Sequence, residues 1–206
     1  MENEQIEISI KKSQRCQRNW NLEKLIPEKD KKTIITAATE CPSKQNIPFY
    51  NVYAIEDRDT IEDIHDVTYF ENDYGDGVGR TNPQVLANMV LAFTKNNLET
   101  DANQETYNEL NGNNTEYNRN TIDKDLHQSV GVAAGMVNLS ASLLGYQTGC
   151  CACFNSDKVK DILKTEDEPI LLMGIGIKDD TKNRRQHHVT DDMVPSFNKS
   201  INVNYI

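Results

Sequence analysis

Apolar and polar positions fall in blocks along this chain, and each block predicts an element. Residues 130–144 give the clearest pattern: Val130, Ala133, Ala134, Val137, Ala141 and Leu144 recur every three or four positions, the period of one helix face. Gly131, Gly135, Ser140 and Ser142 keep the other faces narrow enough for a second backbone to approach, and Gly145 stands where a helix C-cap belongs. A shorter helix is expected over 6–13, ending in a cationic turn. Another is expected from Pro27, with Glu28 and Asp30 in its first turn and Ile34, Ile35 and Ala38 on one face; Pro42 should stop it at Cys41.

Strand-like composition at 50–55 (YNVYAI) and continuous apolar runs at 84–93 (QVLANMVLAF) and 169–177 (PILLMGIGI) predict strands, the last two buried, and 58–66 a short charged helix. Two polar stretches interrupt them. Residues 72–80 (NDYGDGVGR) read as a flexible connection: they lack the alternating carboxylates of a calcium loop, and G-x-G-x-G is not the dinucleotide fingerprint. Residues 95–124, rich in Asn, Thr and Glu, read as a lid-like surface excursion. Residues 203–206 suggest an extended tail. Helices first, then strands mixed with helices, predict an α+β layered domain over 1–206.

Composition narrows the classes. The 206 residues are 37% hydrophobic and 26% charged, with clustered apolar positions, so a folded core is expected. A formal charge of −10 disfavours nucleic acid and anionic membrane as partners. No stretch reaches the roughly 20 apolar residues of a spanning helix. Glu2, Glu4 and Glu7 open the chain without a signal-like apolar core, and five cysteines do not suggest a disulfide framework. A reduced, cytoplasmic protein is the expectation.

The positive charge is concentrated. Residues 8–22 hold Lys11, Lys12, Arg15 and Arg18 without an acid; residues 181–190 hold Lys182, Arg184 and Arg185 with His187 and His188, again without an acid. Brought together, these segments would make an anion pocket in an otherwise repulsive protein; kept apart, they are two solvated basic stretches.

Several segments also fall into one known order. Lys11-Lys12-Ser13-Gln14-Arg15 after the first helix, Pro42-Ser43-Lys44-Gln45-Asn46 after the second, the small-residue helix 130–144 with Gly145 and Phe154, the strand 169–176 and Lys182-Asn183-Arg184 together resemble the nitroreductase family of FMN-dependent oxidoreductases. The resemblance implies a three-layer α-β-α sandwich with a mainly antiparallel central sheet, and homodimers with FMN between the subunits. It also implies a hydride passed from NAD(P)H through the flavin to a small-molecule electron acceptor such as a nitroaromatic or quinone, in a ping-pong scheme. Related proteins carry out reductive dehalogenation or flavin fragmentation. A non-catalytic acidic interaction module that has lost the cofactor is a further alternative.

By the same resemblance, Lys11, Ser13, Arg15, Lys182 and Arg184 would bind the FMN phosphate, with Lys12 near the ribityl chain. Pro42 would fix the turn that presents Ser43, and Ser43 and Asn46 would bond the ribityl chain or ring edge. Asn82 or Gln84 would reach the pyrimidine side, and the backbone of Gly149, Cys150 and Cys151 would lie against the ring. No side-chain nucleophile is needed, since the chemistry belongs to the cofactor. The chain departs from the family pattern at Lys11, where an Arg is usual, after Asn46, where Gln-Pro-aromatic is replaced by Ile47-Pro48-Phe49, and at Ala152, where some members place a Glu.

Other chemistry finds weaker footing. Cys150, Cys151 and Cys153 lack a neighbouring fourth ligand for zinc and read as buried free thiols. His187 and His188 would border the clamp or sit in solvent. Ser43 lacks the signature of a hydrolase triad. Gly131 and Gly135 form a G-x-x-x-G that suits close helix packing, including across a dimer interface.

Overall fold

The central strand pair sets the layers. In the computed structural model, which describes residues 3–69, 80–98, 105, 109, 115–196 and 199–205, the chain forms α1 (Asn3–Ser13), α2 (Glu28–Thr39), β1 (Tyr50–Ile55), α3 (Arg58–Asp66), β2 (Met89–Lys95), α4 (Thr115–Leu143), β3 (Gln147–Cys151), α5 (Ser156–Leu163) and β4 (Pro169–Gly176). The four strands make one antiparallel sheet in the order β1-β2-β4-β3. Side chains alternate across a strand, so β2 serves two cores. Met89, Leu91 and Phe93 join Ile34 and Ala38 of α2 and Leu126, Val130, Ala133 and Val137 of α4 on one side. Val90 and Ala92 join Ile61 and Ile64 of α3 and Val159 of α5 on the other. This is the expected three-layer α-β-α sandwich, with α1 packed on α4 in the first helical layer.

Several boundaries differ from expectation, each for a local reason. The run 84–93 is not one strand. Pro83–Val85 forms a 3-10 turn, with the Asn82 side chain accepting from the Gln84 N–H, and the strand begins only at Met89. The secure helix starts well before 130. Ile122 and Leu126 extend its apolar face by one four-residue step each, so α4 reaches back to Thr115 through residues assigned above to the excursion. The rest of that excursion, 99–104, 106–108 and 110–114, lies outside the described residues, as do 72–79 of the glycine-rich connection. Gly145 does cap α4: it takes φ of 94°, and Tyr146 N–H returns to the Ala141 carbonyl at 2.8 Å. Two elements lie in stretches for which the sequence pattern predicted no element. β3 pairs with β4, and α5 is capped by Asn155, whose side chain accepts from the Lys158 N–H at 3.0 Å.

Candidate anion and thiol site

Past α1 the chain runs extended along the edge of β3 and the end of β4. Gln17 N–H donates to the Thr148 carbonyl at 2.8 Å, Asn21 N–H to that of Ile177 at 2.7 Å, and Asp179 N–H returns to Asn19 at 3.0 Å. The segment after β4 thereby meets the segment after α1. Buried Asn19 fixes the junction, its side-chain amide donating to the carbonyls of Asn183 and Gln186, each at 2.8 Å. Arg184 Nη1 donates to the Cys16 carbonyl at 3.3 Å. The two acid-free segments are therefore brought together.

Arg184 is held below its ordinary basicity by burial first, and then by the like charges of Arg15 and Arg185. Among the described residues, Lys12, Arg15, Lys182 and Arg184 form no ion pair. Lys182 acts at longer range on His188 and Asp179. Like charges held together without a carboxylate, in a chain of net charge −10, make a cradle for an anion. Lys11 contributes less, because it is exposed on α1 and paired with Glu7 at 3.5 Å. Ser13 closes its own helix end by donating to the Ile10 carbonyl at 2.9 Å.

The turn after α2 stands apart. Ser43 Oγ donates to the Ile47 carbonyl at 2.8 Å, Gln45 and Asn46 take left-handed φ of 54° and 59°, and Lys44 reaches Asp125 of α4 at 2.9 Å. Pro42 and Asn46 are exposed. None of Pro42, Ser43 and Asn46 is bonded to the arginine junction among the described residues.

Asn82, Gln84, Gly149, Cys150 and Cys151 do converge. Gly149 and Gly174 pair across β3 and β4, and both admit the Gln84 carbonyl. A methyl group on Gly149 would lie 2.6 Å from the Gln17 carbonyl oxygen, and one on Gly174 would lie 2.0 Å from that of Gln84. Glycine is required at both by close backbone approach. The segment that carries Cys16 runs past this notch, held to β3 by the bond from Gln17 N–H to the Thr148 carbonyl. Cys16 is held well below an ordinary thiol by Cys150 first, with the charge of Arg18 assisting, while Cys150 is pushed up by Cys16 and by burial. Cys151 is buried, and burial pushes it up to about 12. Cys150 and Cys153 are only half-buried, which corrects the expectation of three buried thiols.

Sequence reasoning did not find Cys16 or the histidine cluster. His187 is buried rather than solvated, its Nδ1 accepting from the Val189 and Thr190 N–H groups at 3.2 and 3.3 Å. His188 lies between His187 and His65 of α3, tilted against the first and edge-on to the second, with ring centroids at 4.7 and 5.2 Å. Arg80, its side chain 3% exposed, binds Asp192 with Nη2 at 2.8 Å and Nε at 3.2 Å. Cys16 carried one weak signal, its place directly after Arg15; His65 carried none. No group of histidine, cysteine and carboxylate suited to a metal occurs among the described residues.

A three-layer α+β sandwich with a cationic cradle between the two chain ends defines the class. The family model for the nitroreductase family matches residues 12–177, and the chain belongs to that family. Solved structures agree on the fold. A nitroreductase family protein from Clostridium novyi is 20% identical with a TM-score of 0.64, covering 91% of this chain and 92% of that one. A candidate NAD(P)H:FMN oxidoreductase from Staphylococcus epidermidis is 16% identical with a TM-score of 0.64, covering 97% and 92%. A candidate nitroreductase from Exiguobacterium sibiricum, solved in complex with FMN, is 18% identical with a TM-score of 0.60, covering 94% and 92%. No curated protein matches the sequence.

Proposed function

We propose that this chain is an FMN-dependent oxidoreductase that takes reducing equivalents from NAD(P)H and delivers them to a small acceptor, a nitroaromatic, quinone or similar compound, at one alternating site. The observation that carries this reading is the junction of Arg15 and Arg184, two cations that form no ion pair among the described residues. A flavin phosphate is the anion that family membership suggests for it. When bound, FMN supplies the hydride chemistry. The chain supplies the rest. Arg15 and Arg184, with Lys182, Ser13, Lys11 and Lys12 around them, would neutralise the phosphate. The backbone of Gly149, Cys150 and Cys151 would flank the ring, with Asn82 and Gln84 as amide partners at its polar edge.

The separate position of Pro42, Ser43 and Asn46 supports a homodimer in which this turn reaches the flavin of a second copy. Ile8 and Ile10 of α1 and Val132 and Met136 of α4 are exposed, and Gly131 and Gly135 have open space around them within one chain. The five free cysteines suit a cytoplasmic setting. No helix among the described residues is long and apolar enough to cross a membrane.

The absorption spectrum of the purified protein tests the reading. A yellow protein that releases FMN on heating is expected. The double substitution Lys182→Ala and Arg184→Ala should strip the flavin, and retention of stoichiometric flavin would defeat the clamp assignment. A protein that stays colourless with added FMN would defeat the oxidoreductase reading itself.

A further inference from the structure

We propose that His65 and His188 form an acid-released latch: their protonation opens the strap of residues 183–194 and withdraws Arg184 from the anion cradle, so that the bound anion is released in acid. The strap is fastened by polar bonds. The Asn19 side-chain amide holds the Asn183 and Gln186 carbonyls, each at 2.8 Å, and Arg80 holds Asp192 at 2.8 Å. His187 Nδ1 accepts from the Val189 and Thr190 N–H groups, so Nε2 carries the ring hydrogen and donates to the Thr81 carbonyl at 3.2 Å. Apolar burial adds little: Val194 is the one buried hydrophobic residue of the strap, while Val189 and Met193 are exposed. A segment held in this way opens locally and as a unit.

The closed latch suits neutral rings. His65 donates from Nδ1 to the Asp66 carboxylate at 3.2 Å, which leaves Nε2 bare; Nε2 is buried and has no hydrogen-bond partner. His188 Nδ1 is likewise buried without a partner. The two rings meet edge-on with centroids 5.2 Å apart, and His187 lies on the other side of His188 at 4.7 Å. A proton on His65 Nε2 would create a buried, charged N–H with no acceptor, facing a second ring in the same position. The charges around the pair do not compensate. From α3 they are the cation Arg58 and the carboxylate of Asp66, 78% exposed; from the strap they are Lys182 and His187.

Burial first, and these like charges after it, lower both rings, His188 to about 4. When the strap opens, both rings return to water, where an imidazole takes up its proton near pH 6.5. The open form then binds protons that the closed form refuses, so acid favours opening. At pH 5.5 a free ring is protonated about ten to one, and solvent screening of the half-exposed His188 reduces the bias to about fivefold. Opening reaches the cradle through the backbone. Arg184 lies between the two carbonyls that Asn19 holds and donates from Nη1 to the Cys16 carbonyl at 3.3 Å, so it leaves Arg15 when the strap lifts. The identity of the anion rests on the flavin reading above; the opening of the strap does not.

Hydrogen exchange on the full-length purified protein at pH 7.5 and 5.5, corrected for the intrinsic pH dependence of exchange, tests the latch. It is read at the bonded strap amides of Gln186, His187 and Val194 and at β2. The strap amides should exchange faster than those of β2 at both pH values, the mark of an opening of their own, and their protection should fall about fivefold at pH 5.5. The double variant His65→Phe and His188→Phe keeps two rings that cannot take up protons, and its strap should change by less than about twofold. FMN titrated at both pH values should lose about fivefold more affinity for the wild type than for the variant, a comparison that cancels the titration of the phosphate itself near pH 6. Strap protection that ignores acid, or that equals the protection of β2, would overturn the latch on the wild-type chain alone, even where the variant folds poorly. So would a folded double variant with the full acid response, or FMN affinity that falls equally in both proteins. FMN bound at neither pH would defeat the flavin reading instead, and inorganic phosphate would then serve as the anion in the same comparison.

Discussion

Asn19 holds Asn183 in place across the whole length of the chain: its side-chain amide donates to the Asn183 carbonyl at 2.8 Å and, with its other hydrogen, to that of Gln186 at the same distance. The arginine junction depends on this bracket, because Arg184 lies between the two bracketed carbonyls. Asn19→Ala should cost about 1–3 kcal/mol, as buried acceptors lose their donor. For a chain of this size each kcal/mol corresponds to about 2–4 °C in Tm. Asn19→Asp should be worse than Ala for anion binding, since it replaces both donors with a negative charge facing carbonyl oxygens beside the arginines. Thermal melts with and without added FMN check both outcomes, and equal flavin affinity in the two variants would show that the bracket does not govern the cradle.

Gly174 and Gly135 should respond to alanine in opposite ways. At Gly174 the new methyl would lie 2.0 Å from the Gln84 carbonyl oxygen, and a backbone atom cannot rotate away. Gly174→Ala should therefore cost about 1–3 kcal/mol or more, and should displace the Gln84 backbone. Gly135 has nothing within 4 Å in a single chain, so alanine should gain up to about 1 kcal/mol of helix propensity. If melting shows Gly135→Ala destabilised instead, with Tm dependent on protein concentration, a second copy covers this face of α4.

The cradle was partly legible in the sequence because charge is legible. Two acid-free segments at opposite ends of an acidic chain pointed to one another, and the family resemblance assigned them a role. The layers were legible because the apolar faces of 130–144 and 169–177 are nearly uninterrupted. β3 was not, because Gln147-Thr148-Gly149-Cys150-Cys151 has neither a strong apolar run nor β-branched residues beyond Thr148. Its strand character comes from pairing Gly149 with Gly174, a tertiary fact. α5 was hidden for a similar reason: in eight residues only Val159 is fully buried. The start of α4 was misjudged because composition outweighed spacing, although Ile122 and Leu126 keep the helical period toward Val130. The contact of His188 with His65 joins residues more than 100 positions apart, and nothing local encodes it.

Acid should loosen the loop that carries the cradle. His188 is pushed down to about 4 by burial first, and then by the like charges of His187, His65 and Lys182. His65 is lowered by burial, with His187 and Arg58 adding to the effect and Asp66 opposing it. In the unfolded chain both rings take up protons near pH 6.5, while the folded chain resists protonation of His188 until about pH 4. Between those values the unfolded chain binds more protons, so stability rises with pH across this window and is lost as pH falls through it. Above about pH 7 the pair contributes no slope. Solvent screening of a half-exposed ring limits the effect to about 1 kcal/mol, or about 2–4 °C in Tm. Melts at pH 7.5 and 5.5 on the wild type and on His188→Leu measure it, above the range where surface carboxylates titrate. The wild type should lose Tm on acidification and the variant distinctly less; an equal loss in both would remove His188 as the source.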